Sequence, residues 1–153
     1  MIRNRRHARS GEGFIFILIV LAIIGAGVWW LVTMKRETEK EARDFAAEVG
    51  TKLAVNYDSK YFSLHTAPNA QVSYPPSFRD RLVYNLKQLG TPAQPLKVTG
   101  KVEFTSYFFE AKGKFRVELD YPSAPAFLDL SVSHPKALWQ IDGINLTWTA
   151  APN

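Results

Sequence analysis

The sequence predicts an α+β chain: a single N-terminal transmembrane helix followed by helices packed on a curved antiparallel sheet. Three observations carry this expectation. An uncharged apolar run fills residues 14–34. Apolar residues then recur at three- and four-residue steps as far as Leu89. From Val98 onward the apolar period falls to two. Helical patterns first and strand patterns after are the order of an α+β domain.

The apolar run, Phe14 to Met34, has 21 residues and no charge. At about 1.5 Å per residue it reaches roughly 31 Å, close to the ~30 Å hydrocarbon core of a bilayer. Thr33 is its one clearly polar side chain, and a threonine can bond back to its own helix. Trp29 and Trp30 stand near its far end, where indoles suit a membrane interface. A cleaved secretory signal has a shorter apolar core of about 7–15 residues. Here Lys35, Arg36 and Glu37 follow directly, with no small-residue cleavage site. The run therefore reads as a retained anchor.

Three segments follow from this: a short basic head over 1–13, the membrane helix over 14–34 and an α+β domain over 35–153. The head carries Arg3, Arg5, Arg6 and Arg9, diluted only by Glu12. The far flank carries Lys35, Arg36, Lys40 and Arg43 among three glutamates. Acids count for little in orientation, so the two flanks nearly tie, and the short, undiluted head decides. The expected topology is a cytoplasmic head and an extracytoplasmic domain, which in a bacterial inner membrane faces the periplasm. The same arginines and the two tryptophans are the expected contacts with the lipid bilayer. Within the run, Ala22, Gly25, Ala26 and Gly27 are small enough to let another helix approach.

Beyond the anchor, Ala42, Phe45, Ala46, Val49 and Leu53 form an apolar helical stripe. Gly50 interrupts it and is expected to mark a bend. Tyr57, Tyr61, Phe62 and Leu64 read as the end of that helix or as a second short one. Pro68, Asn69, Pro75 and Pro76 make a loop. Ser77 is the expected cap of a helix whose buried face is Phe78, Leu82, Leu86 and Leu89, with Gly90 closing it. The first strand places Val98, Gly100, Val102, Phe104, Ser106 and Phe108 on one face. A turn is expected at Lys112-Gly113. The next strand alternates Phe115, Val117, Leu119 and Tyr121 against Lys114, Arg116, Glu118 and Asp120. Phe127 to Val132 is a third strand. Leu138 to Trp148 completes the sheet, with Asp142-Gly143 either a hairpin turn or a bulge.

A tyrosine-rich leading helix, a helix ending in LKQLG and a closing ALWQIDGINLTW resemble the nuclear-transport-factor-2-like superfamily of cystatin-like cone folds. The resemblance covers about residues 36–149 and includes Trp139, Ile141 and Gly143 in the last strand. It implies a curved sheet wrapped on helices around a conical pocket. Many members bind ligands or partners, and some are enzymes. One membrane-anchored branch consists of periplasmic assembly components of type IV secretion machines. The N-terminus is also similar to type IV prepilins, with Gly13 and Phe14 at the cleavage point. Leu18 stands where that family has a glutamate.

Chemistry is sparsely signalled. The chain has no cysteine, which removes disulfides, thiolate metal sites and cysteine nucleophiles. His7, His65 and His134 lie far apart in sequence, and no metal, nucleotide or nucleophile motif is present, so no metal and no cofactor are expected. Asp120 alternates with the charged, solvated positions of its strand, away from any cone. The basic balance, pI about 9.5, points to nucleic acid only until it is divided. Residues 35–153 hold 15 basic and 13 acidic residues, and so lack a basic footprint. Binding to other subunits of a membrane complex is the expected function. Its candidate contacts are Tyr57 and Tyr61 and the consecutive aromatics Tyr107, Phe108 and Phe109, which cannot all face one core. The alternative is a pocket module for a small apolar ligand or lipid.

Overall fold

The computed structural model describes residues 10–105, 110–135 and 138–148. Arg3, Arg5, Arg6 and Arg9 of the head, and the aromatics Tyr107, Phe108 and Phe109, lie outside the described residues. The chain divides into two compact units, Met1–Glu37 and Thr38–Asn153.

The described part of the first unit is entirely helical. It belongs to helix α1 (Ser10–Ala54), which is long and apolar enough to cross a membrane. None of its most apolar stretch is buried by protein. Phe14, Phe16 and Ile23 are each more than 60% exposed, and the remaining large side chains up to Val32 are exposed as well. A soluble chain rarely leaves so continuous an apolar surface bare, because each 100 Å² of it in water costs about 2.5 kcal/mol. Thr33 Oγ1 donates to the Trp29 carbonyl at 2.9 Å, so the one polar side chain of the run is satisfied within the helix.

In the second unit, α1 continues with a changed surface. Ala42, Phe45, Ala46, Val49 and Leu53 are buried at three- and four-residue spacing. The helix runs unbroken through Gly50. This residue is a contact glycine: a β-carbon there would lie 2.9 Å from Val117 Cγ1, so its bare Cα lets the helix approach the sheet. Helix α2 (Ser59–His65) is the second short helix; Asp58 Oδ1 caps it by accepting the Tyr61 N–H at 2.9 Å. Helix α3 (Pro76–Leu89) buries Leu82, Val83 and Leu86. It begins before the expected Ser77 cap. Pro76 fits the first turn because its missing N–H is one that would have no helical partner there. Gly90 closes α3 with a positive φ of 94°.

Four strands follow: β1 (Lys97–Phe104), β2 (Ala111–Asp120), β3 (Pro125–His134) and β4 (Gln140–Trp148). They form one curved antiparallel sheet in sequence order, β1-β2-β3-β4. Phe115, Val117 and Leu119 of β2, Leu128, Leu130 and Val132 of β3, and Ile141 and Ile144 of β4 are buried with the helices. The opposite face presents Lys101, Lys112, Lys114 and Arg116. There Arg116 grips Asp129 with two bonds, Nε to Oδ1 at 2.7 Å and Nη2 to Oδ2 at 3.0 Å.

The expected turn at Lys112-Gly113 is instead strand, and the β1–β2 hairpin closes between Thr105 and Glu110. Gly113 has a packing reason to be glycine. A β-carbon there would collide with the Phe115 ring, and one at Gly100 would collide with the Lys114 carbonyl and the same ring. The two glycines make room for one phenylalanine. Asp142-Gly143 is a bulge: Ser131 pairs with Gly143 while Val132 pairs with Ile141. The free edge of β4 is covered over Ile141–Ile144. Thr66 bridges Ile141, the Ala67 N–H donates to the Ile141 carbonyl at 2.9 Å, and the Ile144 N–H donates to Tyr74 Oη at 3.1 Å.

Candidate functional site

Two regions hold the residues singled out from sequence. In α1, Ala22, Gly25, Ala26 and Gly27 are all exposed, and nothing lies within 4 Å of a β-carbon built on either glycine. At about 100° per residue, Ala22, Gly25, Ala26 and Trp29 fall on one stripe, whereas Gly27 turns to another face. In helices that do cross lipid, stripes of small residues let a neighbouring helix approach closely. Trp29 is 71% exposed and Trp30 54%.

In the second unit, Tyr57 and Tyr61 turn onto their own chain. Tyr57 adopts the left-handed conformation (φ 56°), and its hydroxyl donates to the Gly90 carbonyl at 2.8 Å, tying the end of α1 to the end of α3. Lys87 lies 5.6 Å from its ring. Tyr61 stacks on His65 with centroids 4.0 Å apart, and Lys52 Nζ lies 5.7 Å from the centre of the tyrosine ring. Both tyrosines are half-buried.

Sequence reading missed the aromatic cluster these residues adjoin. Phe45 lies between His65 (6.0 Å) and Trp139 (6.4 Å), and Trp139 continues to His134 at 4.9 Å. Two histidines far apart in sequence, one ending α2 and one ending β3, thus border the same ring cluster. His65 Nδ1 bonds the Tyr61 carbonyl at 2.9 Å. The buried Trp139 Nε1 has no hydrogen-bond partner among the described residues. Only the four-residue step from Tyr61 to His65 was visible in sequence; the Phe45–Trp139 contact depends on tertiary packing.

His134 also lines a groove of about 810 Å³ with Asn69, Lys112, Ser133, Leu138 and Asp142. Ser133 Oγ donates to Asp142 Oδ1 at 2.9 Å across it. Leu138 is 74% exposed there. On the helix-facing side of the sheet, Phe62, Leu53, Leu86, Leu128 and Leu130 are buried between sheet and helices. Asp120 is exposed on the other face of β2. No group of three metal-ligating side chains occurs among the described residues.

Two phenols are perturbed, the buried Tyr121 and the half-buried Tyr61. Tyr121 is raised above its usual range by burial, then by neighbouring Tyr57. Tyr61 is raised by burial, then by the charge of Glu48 and the bond to it. A raised phenol pKa means that the folded state holds the proton more tightly than the unfolded chain. Stability from both groups is complete below pH 10 and declines as pH rises beyond it. An alkaline titration followed by phenolate absorbance should show two of the six tyrosines ionising only as the fold is lost. All six ionising together near their ordinary value would contradict this.

Neither protein-family models, nor curated proteins, nor solved structures yield a match to this chain.

Proposed function

We propose that this chain is a single-pass, non-catalytic membrane subunit. It is held by α1 in a bacterial inner membrane and docks through its anchor and its periplasmic domain to a larger membrane complex. One observation carries the reading. The first half of α1 is apolar and exposed on every side, while the second half is buried only on the stripe that meets the sheet. A bilayer satisfies the first half; the domain's core satisfies the second. The packed interior between helices and sheet, filled by the chain's own side chains, favours docking over the alternative of an apolar-ligand pocket. The helix–sheet order supports the resemblance to the nuclear-transport-factor-2-like superfamily and its membrane-anchored assembly components.

The absence of native cysteine makes topology directly measurable. Ser123→Cys, in the exposed β2–β3 connection, should react with a membrane-impermeant maleimide once the outer membrane is permeabilised. Ser10→Cys should react only after detergent. The reverse pattern would overturn the orientation, and labelling of both would overturn the span. Extraction in mild detergent should recover the chain with other membrane subunits at a fixed ratio; elution alone would remove the docking assignment.

A further inference from the structure

We propose that two copies of this chain join through their β1 strands, edge to edge and antiparallel, with Gly100 on the two-fold axis. The two edges of the sheet are treated differently. The β4 edge is covered over Ile141–Ile144 by residues 66–74, as described above. Among the described residues the outer edge of β1 meets no other strand.

The hydrogen-bond phase of β1 shows which groups are left over. The Thr105 N–H donates to the Glu110 carbonyl at 3.2 Å, on the same register as Lys97↔Glu118 through Phe104↔Ala111. Bonded pairs alternate along an antiparallel ladder, so the odd-numbered residues of β1 bond to β2. Val98, Gly100, Val102 and Phe104 then direct their backbone N–H and C=O groups outward. None of these groups has a backbone partner beyond the sheet among the described residues. Unpaired edge groups are a template for another strand.

The side chains and the length of β1 together select the strand and the register: centring on Val102 would also oppose Lys101 to Glu103, but would pair only Gly100 to Phe104 within β1. In antiparallel self-pairing, opposed residues share a face. Centring on Gly100 sets Lys97 opposite Glu103 of the other copy, twice, on the outer face. It sets Val98 opposite Val102 and Leu96 opposite Phe104 on the inner face. Leu96, Val98 and Phe104 are only partly buried within one copy and pack against its core, so pairing would extend that core. Lys97 is 80% exposed and already lies 3.6 Å from Glu118 of its own copy, in a solvent-exposed pair that the exposed Glu103 of the other copy would join from the open edge. Centring on Thr99 would oppose Lys97 to Lys101 twice, and centring on Lys101 would oppose that lysine to itself. Directly opposed like charges are destabilising. The glycine at the axis has no side chain to obstruct the approach.

The pairing predicts its own cross-link. At the new ladder Thr99 opposes Lys101 in a non-hydrogen-bonded pair, whose Cα atoms stand about 4.5 Å apart, within disulfide reach. The full-length T99C/K101C chain, in detergent or liposomes, should oxidise to a species of doubled mass. T99C/E103C should stay monomeric, because those positions do not meet in this register. A dimer formed only through the membrane helices would bring the domains together without this register, and would not separate the two variants. Charge reversal in the T99C/K101C background gives a second reading. K97E should lower the cross-linked yield about fivefold, and K97E/E103K should restore it. A monomer from T99C/K101C, equal yields from both cysteine pairs, or no rescue by the double reversal would overturn the proposal. Protection of β1 only by an added extended peptide would assign the edge to a different partner and likewise overturn it.

Discussion

Leu21→Arg combined with Ile24→Arg should release the protein from the membrane. Both side chains lie in the middle of the apolar half of α1 and are more than half exposed. A charge at the centre of a membrane helix costs about 2.5–3.5 kcal/mol on insertion scales, and each replaced Leu or Ile also withdraws roughly 0.3–0.6 kcal/mol of favourable transfer. Two such changes oppose insertion by roughly 6–8 kcal/mol. The measurement is resistance to alkaline carbonate: the native chain should stay with the membrane pellet, and the double variant should appear in the supernatant. Leu21→Ala with Ile24→Ala removes bulk without adding charge and should remain in the pellet. Equal retention of the arginine variant would show that this helix does not cross lipid.

Phe62→Ala should destabilise the domain by about 3–5 kcal/mol, the usual cost of emptying a buried aromatic site. That is a large share of the roughly 5–15 kcal/mol by which a domain is stable. Phe62 is 1% exposed and lies on α2. Its ring meets Tyr74 edge-on at 5.8 Å, and Tyr74 accepts the Ile144 N–H on the outer edge of β4. The loss should therefore be spatially specific as well as global. Denaturant unfolding should give the lowered midpoint, and hydrogen exchange should show Ile144 opening before the amides shared by β2 and β3. Tyr74→Phe should open Ile144 as well, but at a net cost of only about 0.5–1.5 kcal/mol, since it removes a single hydrogen bond. A Phe62→Ala midpoint close to that of Tyr74→Phe would show that Phe62 is not a core residue.

The sequence disclosed what depends on local periodicity. The apolar run, the stripe from Ala42 to Leu53 and the alternation from Phe115 to Leu119 each repeat at the period of the element they form. It misled where a residue's reason is tertiary. Gly50 and Gly113 read as a bend and a turn because glycine more often relaxes backbone geometry. Here one admits Val117 and the other admits the Phe115 ring, and neither neighbour can be assigned before the sheet register is known. Ser77 offered a good capping side chain, but the rigid φ of the proline before it set the start of α3. The candidate site was less legible. Tyr57 and Tyr61 could be singled out as aromatics, but not their placement beside Gly90 and His65. The approach of His65 and His134 to one cluster follows from strand order, which no spacing encodes.

The close fit of Gly50 against Val117 has a consequence for biogenesis. The ribosome delivers the amphipathic half of α1 long before it delivers β2, the strand that half packs against. During that interval Phe45, Val49 and Leu53 have no sheet to cover them. Nascent chains with such a delay depend on a holdase or on the bilayer surface to shelter the waiting stripe. Slowing synthesis between α3 and β2 should therefore raise proteolysis of the newborn chain, whereas the same pause placed after Trp148 should have no effect.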